Sequence, residues 1–156
     1  SKQFALLGVS FRGLVAQELW KFIKSQKLIL ISTIQDQFEL LPIYRLVGRL
    51  KLIKLILSFA FKLPFWLAKR VFGTNSLLLD DILGETNESY VKWSLDKTLT
   101  WQSSSIKMDA IRILRTKDGL FPIWPIRGEY RITNGGHFMI VDEAIAISKI
   151  INKELA

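Results

Sequence analysis

The hydrophobic and polar positions of the chain change between short apolar runs and stretches with helical spacing. The run from Phe4 is apolar up to Gly8, and after Gly13 apolar side chains recur three and four positions apart. A second apolar run, Lys27 to Thr33, has no helical spacing. Short apolar runs of this kind are typical of parallel strands that helices cover on both faces. The pattern predicts a strand, a sharp turn, a helix and a second strand.

The middle of the chain, residues 38 to 101, shows helical spacing without strand alternation, which predicts three to five helices. From Met108 the strand pattern returns twice, and a closing amphipathic helix is predicted from Ile140 to Leu155. Strands that alternate with helices predict an α/β fold with a mostly parallel half-sheet of about four strands and flanking helices. We expect a core made of residues 1–37 and 102–156, with a helical cap insertion at residues 38–101.

Composition narrows the class of protein. With 156 residues, 49% of them hydrophobic and 23% charged, the chain is long enough to bury one core and is not expected to be disordered. The absence of cysteine excludes disulfides, thiolate metal sites and cysteine catalysis, and it fits a reducing compartment, so we expect a cytoplasmic location. The uncharged run Leu55 to Phe61 is far shorter than the ~20 apolar residues that a membrane-spanning helix needs.

The formal net charge of +8 is concentrated in the predicted cap. No acidic residue lies between Glu39 and Asp80, whereas seven basic residues lie between Arg45 and Arg70. A solvated basic face on the cap explains this pattern, and contact of residues 45–70 with an anionic membrane surface is the functional alternative. Nucleic-acid binding is not expected, because the charge lies on an apolar-rich cap and no nucleic-acid-binding motif is present.

Three turn residues with catalytic chemistry follow predicted strands: Ser10, Asp118 and His137. In open α/β sheets, reactive groups gather at the carboxyl ends of the strands. A serine hydroxyl needs a histidine to accept its proton, and a carboxylate orients that histidine. Each residue is also an ordinary turn residue, and Asp36, after the second strand, is a second candidate for the acid. The three residue types in this order are therefore a candidate catalytic triad.

Three segments together resemble the α/β-hydrolase superfamily, and in particular a branch of small bacterial hydrolases. LLGVSFRGLVAQEL is similar to the nucleophile elbow, ILRTKDGLFPI to the segment with the acid, and YRITNGGHFMIVDEAIAISKII to the histidine loop and final helix. The resemblance implies that Ser10 is the nucleophile, Asp118 the orienting acid and His137 the base, and that the backbone N–H of Phe11 is one oxyanion donor. It implies hydrolysis of an ester or related acyl bond through an acyl-serine, without a metal or organic cofactor.

The sequence departs from the hydrolase pattern at the elbow and at its beginning. Arg12 stands where the motif G-x-S-x-G has a glycine, and an arginine fits there only if its side chain points outward. The first strand resembles the fifth of the full fold, so the four preceding strands and the second oxyanion donor are expected outside this sequence. Three explanations are open: a fragment of a longer enzyme, one part of a two-chain hydrolase, or a half-sheet completed by a homodimer.

The expected partners follow from the cap and from the first strand. The cap is rich in leucine, phenylalanine and tryptophan, which favours a small-molecule substrate with an apolar acyl group. An open first strand favours pairing with a second copy or with a missing N-terminal portion. A non-catalytic interaction module that keeps the hydrolase fold is therefore the alternative function.

Overall fold

The core of the molecule is one parallel sheet. A computed structural model describes residues 4–23, 25–52, 87–103, 108–115, 130–133 and 139–156. Its strands are β1 (Ala5–Val9), β2 (Lys27–Ile31), β3 (Ala110–Arg115) and β4 (Tyr130–Ile132). They pair in parallel in the order β1-β2-β3-β4. The predicted α/β fold with a mostly parallel sheet of about four strands is confirmed.

Helices connect and cover these strands within the described residues. They are α1 (Phe11–Ile23), a 3-10 turn (Gln37–Glu39), α2 (Pro42–Arg49), α3 (Glu88–Thr100), α4 (Met139–Asp142) and α5 (Ala144–Leu155). The single closing helix that the sequence predicts is thus divided near Glu143. None of the described helices is long and apolar enough to cross a membrane. Residues 53–86 lie outside the described residues, so the number of cap helices and the division into core and cap stay predictions.

Strand β2 lies in the middle of the core because its side chains are buried on both faces. Leu28 and Leu30 pack with Ala16 of α1, whereas Ile29 and Ile31 pack with Ile147 of α5. This burial on two faces explains why the strand is a continuous apolar run instead of an alternating one.

A buried ion pair fixes the chain that follows β2 to strand β3. The Nη1 and Nη2 atoms of Arg112 each lie 2.8 Å from a carboxylate oxygen of Glu39, and Arg112 is only 7% exposed. The backbone N–H of Gln35 also donates to Oε2 of Glu39 over 2.9 Å. A bidentate pair of this kind fixes direction as well as distance, so the 3-10 turn is held against the sheet.

Strand β1 forms one edge of the described sheet, and the apolar surface around it is exposed. Phe22 of α1 is 82% exposed. Further large apolar side chains on β1, on α1 and just before β1 are 41–48% exposed, namely Phe4, Leu7, Val15, Leu19 and Ile23. Proteins usually pair or cover a strand edge with such apolar surroundings.

Candidate functional site

Ser10 lies at the apex of a sharp turn between β1 and α1. It follows Val9, the last residue of β1, and α1 begins at the next residue, Phe11. Its φ of 52° is in the left-handed region, which is unfavourable for residues other than glycine by about 1–2 kcal/mol. The Ser10 N–H donates to the carbonyl of Ile31 over 2.9 Å, and the Ser10 carbonyl accepts from the N–H of Gly13. The predicted sharp turn is therefore present, with the serine at its strained position.

Two glycines allow the strand and the helix to approach closely behind Ser10. A Cβ atom on Gly8 would lie 2.6 Å from both the Gly13 Cα and the carbonyl oxygen of Arg12. A Cβ atom on Gly13 would lie 2.4 Å from Cγ2 of Thr33, the second residue after β2. The side chain of Arg12 is exposed, as an arginine in the elbow requires. The close contact with β1 is therefore made by Gly13 and by the backbone of Arg12, whose side chain stays outside it.

Phe11 connects this turn to the predicted cap. Its backbone N–H is the predicted oxyanion donor, and its ring lies edge-on to two aromatic rings of α3. The ring centroids are 5.1 Å apart for Trp93 and 6.4 Å apart for Tyr90. Both α3 side chains are nearly half exposed. An apolar surface thus begins at the residue that follows Ser10.

Polar contacts fix helix α1 at two further points. The fully buried Gln17 donates through Nε2 to the carbonyl of Ile34 over 2.8 Å. At the next residue, Oε1 of Glu18 accepts from the indole N–H of Trp101 over 2.9 Å, and Lys21 also binds this carboxylate. Burial raises the pKa of Glu18, but the hydrogen bonds from Lys21 and Trp101 outweigh it, so the pKa lies below its usual value. The carboxylate therefore stays ionised at neutral pH.

Asp36, the second candidate for the acid, has a structural role. Its Oδ1 accepts from the N–H of Phe38 over 2.7 Å and thereby caps the 3-10 turn. Its Oδ2 accepts from the hydroxyl of Ser103 over 3.0 Å. Because both oxygens hold neighbouring chain segments together, Asp36 is a poor candidate for orienting a histidine.

Asp118 and His137 lie outside the described residues, so their positions and roles stay predictions. Within the described ranges, no group of three or more histidine, cysteine, aspartate or glutamate side chains could hold a metal ion.

Two buried polar residues at the carboxyl edge of the sheet are not among the site residues that the sequence predicts. Arg115, the last residue of β3, is only 1% exposed, and Ser32, directly after β2, has a left-handed φ of 48°. A charged residue that ends an apolar strand is a signal by which Arg115 could have been found. The sequence around Ser32 contains no glycine and gives no such signal.

Comparison with known proteins identifies the fold. No protein-family model matches the sequence, and no curated protein is similar enough to count as a relative. Among solved structures, a lipase-esterase related protein from Clostridium acetobutylicum ATCC 824 is similar, with 15% identity and a TM-score of 0.67 over 97% of this chain and 66% of that chain.

Two solved structures of Mycobacterium tuberculosis proteins are also similar, each with 18% identity: BpoC, from strain H37Rv, and Rv0554. The non-heme bromoperoxidase BpoC has a TM-score of 0.57 over 96% of this chain and 65% of that chain. Rv0554 has a TM-score of 0.59 over 96% of this chain and 64% of that chain. This chain therefore spans about two thirds of its neighbours' length. The likeness shows that it has the α/β-hydrolase fold.

The close packing behind Ser10 predicts the effect of Gly13→Ala. Alanine normally stabilises a helix interior by about 1 kcal/mol relative to glycine, but here its Cβ would overlap Thr33. We expect a net destabilisation of about 1–3 kcal/mol in urea unfolding, the usual range for overpacking. Ser148→Ala, on the exposed face of α5, is the control and should change stability little. Unchanged or higher stability of Gly13→Ala would contradict the observed packing.

Proposed function

We propose that this chain carries the nucleophile of a serine hydrolase that cleaves an ester or a related acyl bond. The observation that carries the proposal is Ser10, held with a left-handed backbone at the strand-to-helix turn by the contacts of Gly8 and Gly13. Strained serines in this position are typical of the nucleophile elbow. The lipase-esterase related neighbour supports the same chemistry by its name.

In the proposed reaction, Ser10 Oγ attacks the acyl carbon while His137 accepts the hydroxyl proton. The Phe11 N–H donates to the oxygen that becomes negative, and Asp118 orients the histidine. Return of the proton to the leaving alcohol releases that alcohol and leaves an acyl-serine. Water then attacks the acyl carbon, with His137 again as base, and regenerates Ser10. The roles of Asp118 and His137 rest on the resemblance alone.

An apolar acyl group fits the surface beside Phe11. The rings of Phe11, Tyr90 and Trp93 contact one another within 6.4 Å between centroids, and two of them are nearly half exposed. Aromatic rings provide large apolar contact areas with few internal degrees of freedom. This supports a substrate whose acyl portion is apolar and lies against α3.

Ester hydrolysis by the full 156-residue chain tests the proposal. We expect p-nitrophenyl butyrate to give a rapid release of p-nitrophenol that is stoichiometric with protein, because the acyl-serine accumulates before water attacks it. Ser10→Ala should remove this burst and lower turnover by about 10³-fold or more. Ser148→Ala serves as the control and should retain both. Turnover by Ser10→Ala at the wild-type rate would contradict the proposed nucleophile.

The open β1 edge favours a second candidate function, a module that binds a partner through its sheet. On one side, β1 has no pairing strand among the described residues, and this edge, beside exposed apolar side chains such as Leu19 and Phe22, is suited to strand pairing. The occupant we propose is a second copy of this chain, with a missing N-terminal portion as the alternative. The same pairing also suits a hydrolase made of two chains, so it complements the catalytic proposal.

Sedimentation equilibrium distinguishes self-association at this edge from other contacts. We expect the wild-type chain to form dimers and Phe22→Glu to lower the dimer fraction, because a buried carboxylate in an apolar interface is strongly unfavourable. Ile145→Glu is a matched control, since Ile145 is also largely exposed but lies on α5. A wild-type chain that stays monomeric, or an equal effect of both variants, would contradict pairing through β1 and α1.

Two expectations from the sequence stay predictions. Contact of residues 45–70 with an anionic membrane surface concerns a segment described only up to Leu52. Within that part, the guanidinium carbon of Arg45 lies over the ring of Phe38, 5.2 Å from the ring centroid. A cytoplasmic location is likewise untested.

A further inference from the structure

Ser32 has a strained backbone that no local feature explains. Three described residues other than glycine have a left-handed backbone, namely Ser10, Ser32 and Lys51. Lys51 directly follows the C-cap of α2, where the left-handed conformation is common, and Ser10 forms the turn into α1. Ser32 has a φ of 48°, directly after a strand, and is followed by four residues outside any helix or strand.

The hydroxyl of Ser32 adds a second unfavourable feature. The residue is 3% exposed, and its Oγ has no hydrogen-bond partner among the described residues. Buried polar groups are normally hydrogen-bonded, and alanine would avoid this loss. A residue that is unfavourable both in its backbone and in its side chain points to a function that needs it.

The chain after β2 is fixed tightly enough to keep this conformation. The Ser32 N–H donates to the carbonyl of Ile113 over 3.1 Å. Each of the next three residues is also held by a hydrogen bond to a residue far from it in the sequence, and Gln35 additionally bonds Glu39 of the 3-10 turn. These bonds join Thr33 O to Arg112 Nη2, Ile34 O to Gln17 Nε2, Gln35 N to Glu39 Oε2, and Gln35 Nε2 to Met108 O.

Ser32 occupies the same place on its strand as Ser10 on the neighbouring strand. Val9 pairs with Ile31 in the parallel register, so the two serines are the first residues beyond the paired strands. They also use the same backbone contact: Ser10 N–H donates to Ile31, and Ser32 N–H donates to Ile113 on the next strand. The carboxyl edge of the sheet therefore presents two adjacent serines, both with left-handed backbones.

We propose that the Ser32 hydroxyl is a second hydrogen-bonding group of the Ser10 site, which donates to an oxygen of the acyl or ester group bound there. This inference rests on the proposed function of Ser10. The Ser32 hydroxyl is shielded from bulk water and has no hydrogen-bond partner among the described residues. It can therefore donate to the ligand without first breaking another hydrogen bond. The ligand class is thus an oxygen-bearing group at the acyl centre, and the apolar portion lies toward α3.

Steady-state kinetics with p-nitrophenyl butyrate tests the proposal on three variants. Ser32→Ala removes the hydroxyl and keeps the Cβ, whereas Ser32→Gly also removes the backbone strain. We expect both to lower kcat/KM about tenfold, the effect of one lost hydrogen bond, without lowering the thermal unfolding midpoint. Ser94→Ala, at a buried serine whose hydroxyl bonds the carbonyl of Val91, is the matched control and should keep kcat/KM unchanged.

The outcomes separate this proposal from the function of Ser10. Wild-type kcat/KM in both Ser32 variants, with turnover still dependent on Ser10, would overturn the role of Ser32 alone. A lower unfolding midpoint in both variants together with normal kcat/KM would assign Ser32 to packing and overturn it equally. Absence of Ser10-dependent turnover in the wild-type chain would overturn both proposals.

Discussion

The site depends on one close contact. It joins three parts of the chain: β1, the first turn of α1 and the two residues that follow β2. Gly8 and Gly13 meet without side chains between them, and Gly13 also rests on Thr33. Because the helix begins so near the strand, the connecting residue has no room for an extended backbone. Ser10 is therefore left-handed, and the strain is stabilised by packing that lies behind it and not by its own side chain.

The position of Thr33 depends in turn on polar groups that are buried beneath the turn. Gln17 reaches from α1 to the carbonyl of Ile34, and the Arg112–Glu39 pair holds the following residues against β3. Such groups are unfavourable in a core unless each finds its partner, so they permit few alternative arrangements. The same contacts that support Ser10 therefore also fix Ser32, and the two serines belong to one rigid edge.

The parallel sheet and the turn at Ser10 could be predicted from the sequence because their signals are local. β2 is a continuous apolar run, and the glycines on either side of Ser10 predict a sharp turn. The buried pair of Arg112 and Glu39 could not be predicted, since its members are 73 residues apart. For the same reason the sequence leaves Asp36 as a candidate acid, because its partner Ser103 is distant in sequence.

The conformation of Ser32 escaped prediction because a left-handed serine without a neighbouring glycine has no sequence signature. The cap was predicted only as a helical region, since periodicity does not tell which aromatic side chains meet. The contact of Phe11 with Trp93 and Tyr90 depends on how α3 lies against α1, and that is decided by tertiary packing. Helical spacing alone indicates which face of a helix is apolar, but not which element that face contacts.

The central claim is that the strained turn makes Ser10 a nucleophile. Intact mass spectrometry after exposure to a fluorophosphonate, followed by peptide mapping, tests it most directly. We predict a single covalent adduct, located on Ser10 and absent from Ser10→Ala and His137→Ala. A folded wild-type chain that forms no adduct, or one that is modified at another residue, would contradict it.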